Sequence, residues 1–231
     1  MNTINKSYIV ATIKSWNIDQ YYNNINKLPG RWTLITSPDG LDIDALYKIN
    51  PRYVFFPHWS WAVPEEILTK FECVCFHMSD VPYGRGGSPL QNLIVRGHKT
   101  TKLTALKMIQ DLDAGPVYGK LDLSLNGSAE EIFCRAAELC YIHIKKIIMD
   151  EPSPVPQEGK VVVFSRRKPD ESVLPYNEDL EKLYDHIRML DAETYPRAFI
   201  DYGNITLEFS GACFYSDDRL EARVTFKRKP E

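Results

Sequence analysis

The sequence predicts an α/β protein, an open, doubly wound, mostly parallel sheet over residues 1–150. A linker at 151–160 and a small C-terminal α+β tail over 161–231 follow. Three observations carry this reading. Short apolar runs alternate with helix-period segments through the first 150 residues. Strands alternating with helices need crossover connections, which make neighbouring strands parallel and cover both faces of the sheet. A proline-rich polar stretch, "DEPSPVPQEGK", then breaks the rhythm. Beyond it the order changes to one strand, one amphipathic helix and three strand-like runs.

The elements follow in order. "SYIVATI" reads as a strand, and Asn17 as the cap of a helix through "IDQYYNNINKL". "RWTLIT" is a second strand, closed by the turn "SPDG". "LDIDALYKI" is a short helix that ends at Asn50-Pro51, and "RYVFFP" is a third strand. Pro64 opens a helix through "EEILTKF", before the fourth strand "CVCFH". Ser88-Pro89 start the helix "PLQNLIVRG", with Gly97 as its stop. "TTKLTALKMI" is a strand, and "QDLDAGPVYGKLDLSL" a turn leading into another. Ser128, with Glu131 three residues on, makes a capping box for a long helix to about Met149. In the tail "KVVVFSR" is a strand, "NEDLEKLYDHIRML" a helix, and "ITLEF", "GACFYS" and "LEARVTFKRK" are strands.

Composition narrows the function classes. Hydrophobic residues make up 44% and charged residues 26% of 231, a profile of ordinary globular proteins. A net charge of −3 argues against nucleic acid as the main partner, since phosphates call for a basic surface. The one compact basic run, Arg166-Arg167-Lys168, reads as a solvated strand end. Five cysteines lack the spacing of a disulfide framework or a zinc site, and Cys73 and Cys75 are assigned to opposite faces of a strand. No metal is expected. The N-terminus has no signal-peptide core and no stretch reaches 18 apolar residues, so the expected location is the cytoplasm, away from the membrane.

Chemistry concentrates in "CVCFHMSDVPYGRGGSP". His77 leaves the predicted fourth strand at its carboxyl end, where ligands of doubly wound sheets sit. A histidine there can act as acid or base near neutral pH, or can serve structure alone. The loop behind it, with Gly84, Gly86, Gly87 and the cationic Arg85, lets backbone approach a ligand. Neither G-x-x-x-x-G-K-[ST] nor G-x-G-x-x-G occurs, which disfavours a nucleotide-cleaving enzyme and a dinucleotide-dependent dehydrogenase. Asp111 and Asp113 precede Gly115 in a tight turn, where an Asp more often shapes the turn than catalyses. Trp59 and Trp61 either plug a core edge or wall a pocket for a flat heterocycle.

Together these segments resemble the N10-formyltetrahydrofolate-dependent formyltransferases. The family pattern H-x-S-x-x-P-x-x-R-G-x-x-P, an I-x-x-G, a threonine-bearing strand and D-x-G is filled by His77, Ser79, Pro82, Arg85, Gly86, Pro89, Ile94, Gly97, Thr104, Asp113 and Gly115. The resemblance implies a Rossmann-like formyltransferase fold, N10-formyltetrahydrofolate as co-substrate and direct formyl transfer. It implies that His77 is the general base or polarises the tetrahedral intermediate, and that Asp113 holds it and assists proton transfer. The family's oxyanion-donating Asn is replaced by Cys75, a weak donor. Another donor then compensates, or His77 carries more of the catalysis, or the chain is an impaired folate- or nucleotide-sugar-binding homologue. Cys75 as a nucleophile is the remaining alternative. The implied folate pocket comprises Trp59, Trp61, Val63, Gln110, Asp111 and Leu112.

The acceptor expected from the resemblance is a nucleotide-linked 4-amino-4,6-dideoxy sugar, favoured as UDP-linked in a pseudaminic acid-type polysaccharide pathway. Ile187, Arg188, Leu190, Asp191, Tyr195, Pro196, Ala198 and Phe199 resemble a segment of sugar N-formyltransferases. Ser79, Tyr83, Arg85, Gly86, Gly87 and Gln91 are the candidate substrate contacts. Methionyl-tRNA or another amine is the alternative acceptor, disfavoured by the chain's length and acidity. Release of formate by hydrolysis is a second enzymatic alternative. A homodimer is compatible with the apolar helix and strands of the tail.

Overall fold

The computed structural model describes residues 5–229. In chain order its first elements are β1 (Ser7–Ala11), α1 (Ser15–Asn24), β2 (Arg31–Ile35), α2 (Ile43–Ile49), β3 (Pro51–Phe56), α3 (Glu65–Lys70) and β4 (Cys73–His77). Then come β5 (Tyr83–Gly86), α4 (Pro89–Val95), β6 (Thr100–Lys107), β7 (Val117–Ser124), α5 (Ala129–Asp150) and β8 (Val162–Phe164). The tail holds α6 (Leu180–Arg188), β9 (Ala198–Tyr202), β10 (Ile205–Ser216) and β11 (Arg219–Arg228).

Six strands form the main sheet in the order β2-β1-β3-β4-β6-β7. β1 pairs in parallel with β2 and β3, and β3 with β4, whereas β4 and β6 are antiparallel. Every residue of β1 is buried, which its unbroken apolar run requires of a strand covered on both faces. On one face Ile9, Ala11, Val54, Phe56 and Cys73 cluster with Leu46 of α2 and Ile67 of α3. On the other, the Phe76 ring lies 6.1 Å from that of His143 on α5, centroid to centroid. His143 Nε2 donates to Leu103 O at 3.1 Å, so this buried histidine ties helix to sheet.

Cys75 packs on the same cluster as Cys73, which corrects their assignment to opposite faces. Side chains alternate with period two, so residues separated by one neighbour share a face. The same rule aims His77 with them.

Caps account for several helix ends. Asp42 accepts from Ala45 N–H at 2.8 Å, and Asn50 closes α2 with φ +48°. Ser128 Oγ accepts from Glu131 N–H at 3.3 Å while Glu131 accepts from Ser128 N–H at 2.7 Å, the reciprocal capping box. Two helix starts differ from expectation. α1 begins at Ser15, ahead of Asn17, because Trp16 and Asn17 are themselves buried in its first turn. Pro64 is the residue before the first turn of α3.

The glycine-rich loop is in fact the short strand β5, paired with β8. The proline-rich stretch is also anchored: Val155 and Val117 exchange both backbone hydrogen bonds, at 2.7 and 2.9 Å. In the tail, β9, β10 and β11 form an antiparallel sheet, and β9 had no counterpart in the sequence reading. "ITLEF" and "GACFYS" are one strand, because Gly211 at φ +58° takes a bulge that keeps the ladder running.

The chain divides into two compact units. The first runs through Gly86 and adds Thr101–Leu123 and Cys134–Val163. The second holds Gly87–Thr100, Ser124–Phe133 and the chain from Phe164 on. Among the described residues no helix is long and apolar enough to cross a membrane.

Candidate active site

β4 ends on His77, and both ring nitrogens face oxygens. Nε2 donates to Gly84 O at 2.7 Å. Ser79 Oγ donates to the same carbonyl at 3.0 Å, and Thr104 Oγ1 on β6 donates to Ser79 O at 2.7 Å. Ser79 and Thr104 are fully buried, so this chain of bonds fixes the imidazole from behind. Nδ1 is left facing Asp113, 3.5 Å from Oδ1. A proton on that nitrogen sits between the two side chains.

Asp113 is placed by the turn between β6 and β7. Its φ is +53°, the left-handed region that costs a residue with a Cβ about 1 kcal/mol or more. Three contacts hold it there. Its Oδ2 accepts from Gly86 N–H on β5 at 2.9 Å. Gln157 Nε2 donates to Asp113 O and to Gly115 O, both at 2.8 Å. Gly115 itself lies against β6, where an added Cβ would be 1.8 Å from Lys107 O. No larger residue fits that crossing of two backbones.

Gln157 does more than hold the turn. Its Oε1 accepts from Arg85 Nε at 3.0 Å and Nη2 at 2.8 Å, so one amide joins the aspartate turn to β5. The sequence offered no signal for it, because it lies in the stretch read as linker.

Beside Asp113 is a cavity of about 150 Å³, lined among others by Trp61, Val63, Cys75, Gln110, Leu112 and Asp113. Its apolar wall suits a flat ring, and its volume is below the roughly 300 Å³ at which small-molecule sites begin. Burial pushes the Cys75 thiol up, and the charge of Asp113 adds to the shift. The sulfur therefore keeps its proton at neutral pH, which removes the thiolate that nucleophilic catalysis needs. At the next loop His58 is held at φ +54°, and burial, with Lys14 nearby, pushes its pKa down to about 3.

The expected contact residues separate into two groups. Trp61, Val63, Gln110 and Leu112 line the cavity with Cys75 and Asp113. Trp59 instead packs on the core cluster and edge-on against Trp61, centroids 5.1 Å apart. Asp111 is outside the lining, its carbonyl accepting from Ala114 N–H at 3.2 Å. Ser79, one of the expected substrate contacts, is buried and its hydroxyl donates to Gly84 O. Gln91, another expected contact, is 4% exposed and donates to Met189 O at 3.1 Å, an anchor between α4 and the end of α6. Gly87 faces Arg166, whose Cα would lie 2.6 Å from an added Cβ, so it serves backbone packing. Arg85 and Gly86 stay at the site through Gln157 and Asp113, and Tyr83 is half-buried on β5.

The tail motif serves packing within the second unit. Arg188 is 4% exposed and donates to Leu125 O at 2.6 Å and Gly127 O at 2.8 Å. Asp191 pairs with Arg197 and accepts from Gly211 N–H at 2.6 Å, and the Tyr195 ring stacks on Phe133. Among the described residues no group of three or more His, Cys, Asp or Glu could hold a metal ion.

Comparison with known proteins places this geometry. The family model described as the methionyl-tRNA formyltransferase C-terminal domain matches residues 169–227. Methionyl-tRNA formyltransferase of Thermodesulfovibrio yellowstonii is 28% identical over 162 residues, 67% of this chain and 51% of that protein. This chain thus spans about half the length of the curated relative it matches. A solved sugar N-formyltransferase from a Shewanella species shares the fold at TM-score 0.62, with 13% identity over 84% of this chain and 92% of that one. A solved methionyl-tRNA formyltransferase from Clostridium thermocellum superposes at TM-score 0.93, covering 96% of this chain and 99% of that one. With 47% identity over that span, the chain belongs to the formyltransferase family.

Proposed function

We propose that this protein transfers a formyl group from N10-formyltetrahydrofolate to a primary amine. The single observation that carries the proposal is the facing pair of His77 Nδ1 and Asp113 Oδ1 at 3.5 Å, beside an apolar cavity. N10-formyltetrahydrofolate supplies an activated formyl group, and Trp61, Val63, Gln110 and Leu112 are the residues that would hold its ring. The acceptor must attack as the neutral amine, and it loses a proton as the new carbon–nitrogen bond forms and the bond to N10 breaks. His77 Nδ1 takes that proton and returns it to N10 as tetrahydrofolate departs, while Asp113 steadies the ring in its charged state. Gly86 N–H holds the carboxylate, and Gln157 holds the backbone carbonyl of Asp113. Cys75, protonated, offers the developing oxyanion only a weak S–H.

The relatives favour methionyl-tRNA as the acceptor, since the solved structure at 47% identity and the curated match both carry that name. One observation supports the amino-sugar reading instead. The segment matched by the C-terminal-domain model, residues 169–227, holds six Lys and Arg against thirteen Asp and Glu. A surface with that balance repels the phosphates of tRNA. On this second reading the acceptor is a nucleotide-linked 4-amino-4,6-dideoxy sugar, with no nucleic acid bound and a second copy of the chain as the only macromolecular partner. Tetrahydrofolate release, assayed side by side with methionyl-tRNA and with UDP- and dTDP-4-amino sugars, decides between them. Turnover with neither, while formate accumulates without acceptor, would replace transfer by hydrolysis.

A further inference from the structure

A second cavity, about 650 Å³, has a lining that does not include His77. It opens at the amino ends of β1 and β3, next to the carboxyl ends of α2 and α3. Its lining carries Lys6, Arg31, Lys48, Arg52 and Lys70 against one acid, Glu72. That is five cations among twelve lining residues, in a chain with 28 Lys and Arg among 231. The enrichment is more than threefold, on a protein whose net charge is −3.

The cations are not equally engaged. Lys6 pairs with Glu151, and Arg52 with Glu72 and Glu151, so two of them are fixed by partners. The other partners of that network are uncharged: Tyr118 donates to Glu72, and Arg52 Nη2 donates to Tyr53 Oη at 2.9 Å. Arg31 spends one nitrogen on Ser7 Oγ at 3.3 Å and keeps the rest of its fork for other partners. Lys48 and Lys70, in the last turns of α2 and α3, enter no ion pair among the described residues. Two held cations, one half-used guanidinium and two unpaired ammonium groups converge on one polar concavity. Their last-turn position lets Lys48 and Lys70 offset helix dipoles, but that role leaves Arg31 and the cavity unexplained.

We propose that this cleft binds a small multiply charged anion of the polyphosphate class. The volume falls in the range of about 300–1,000 Å³ occupied by small-molecule ligands. Arginine forks and lysine points are the groups that recognise phosphate oxygens. The cleft is at the amino end of strands whose carboxyl end carries His77. A strand rises about 3.3 Å per residue, so the two sites are separated by several residues of β3 and β4 and take different molecules. The ligand is therefore a second ligand, and it need not be consumed.

The test uses the full chain in a phosphate-free buffer at low salt, titrated calorimetrically with inorganic tripolyphosphate. The expected result is saturable one-to-one binding that weakens steeply as salt is raised. The Lys48→Glu/Lys70→Glu protein should bind at least tenfold more weakly, while the charge-matched Lys182→Glu/Lys227→Glu protein binds as the wild type. Arg31→Ala gives an independent second variant with the same expected direction. Parallel titrations with a nucleoside triphosphate and with a short single-stranded RNA identify the natural source of the phosphates. No saturable binding of tripolyphosphate, equal binding by the Lys48/Lys70 variant, or binding of RNA alone would overturn the proposal.

Discussion

Substituting Gly115 tests how tightly the aspartate turn is built. In Gly115→Ala the new Cβ would start 1.8 Å from Lys107 O. Ordinary carbon–oxygen contact begins near 3.3 Å, so the turn or β6 must give by about 1.5 Å. Lys107 is held on both sides, its N–H donating to Pro116 O at 2.8 Å and Met108 N–H donating to Cys73 O at 2.8 Å. The turn therefore moves, and Asp113 moves with it. The Gly86 N–H bond at 2.9 Å and the 3.5 Å approach to His77 are both shorter than that displacement can spare. A misplacement of about 1 Å at a catalytic group costs on the order of 10²-fold in rate. Overpacking of this kind costs about 1–3 kcal/mol of stability, or a melting temperature lower by roughly 5 °C. The assays are kcat/KM for tetrahydrofolate release and thermal unfolding followed by circular dichroism. A variant with wild-type turnover and melting temperature would refute the claim that the turn is clamped against β6.

Three further outcomes follow from the site. Cys75→Asn restores an amide donor in the cavity, and kcat should rise by up to about 10²-fold, since one oxyanion donor is worth roughly 10²–10³; an unchanged or lower kcat in a folded variant would rule out that role for position 75. Gln157→Ala removes the donors to two carbonyls and the partner of Arg85, and should lower kcat about tenfold with little change in the KM of the folate, at a stability cost of about 2 kcal/mol; a pure KM effect would place Gln157 in ligand binding instead. His58, depressed to about 3, binds a proton in the unfolded chain that the native state refuses. Stability is therefore lost as pH falls below about 6.5, by about 2 kcal/mol between pH 7 and 5. Urea unfolding at the two pH values should show this, and His58→Gln should remove the His58 share, while His143 and His186, also lowered by burial, keep theirs.

What the sequence made legible were elements whose local pattern and tertiary role agree. β1, β3 and β4 are apolar runs because both their faces are covered, and the Ser128–Glu131 box marks its helix by the bonds it makes. His77 and Asp113 are singled out through the resemblance to the formyltransferases, since a strand end and a tight turn alone leave structural roles open; the fold brings the two side chains to 3.5 Å. The rest depended on long-range partners. "YGRG", with two glycines in four residues, has weak strand propensity and becomes β5 through pairing with β8. Gln157 is invisible in a proline-rich segment, since its role exists only once Asp113, Gly115 and Arg85 are brought to it. Gly211 reads as a strand end, yet it is the residue that lets β10 continue. The antiparallel entry of β6 beside β4 leaves no trace in side-chain alternation, which is the same in either direction.

The measurement that bears most directly on the account is the rate of tetrahydrofolate release from N10-formyltetrahydrofolate by wild type and His77→Asn, each with methionyl-tRNA and with 4-amino sugars. The account predicts turnover that depends on an amine acceptor and falls at least 10²-fold in the variant, with the melting temperature little changed. Acceptor-dependent turnover indifferent to His77, or no turnover with any amine while the folate still binds, would contradict it.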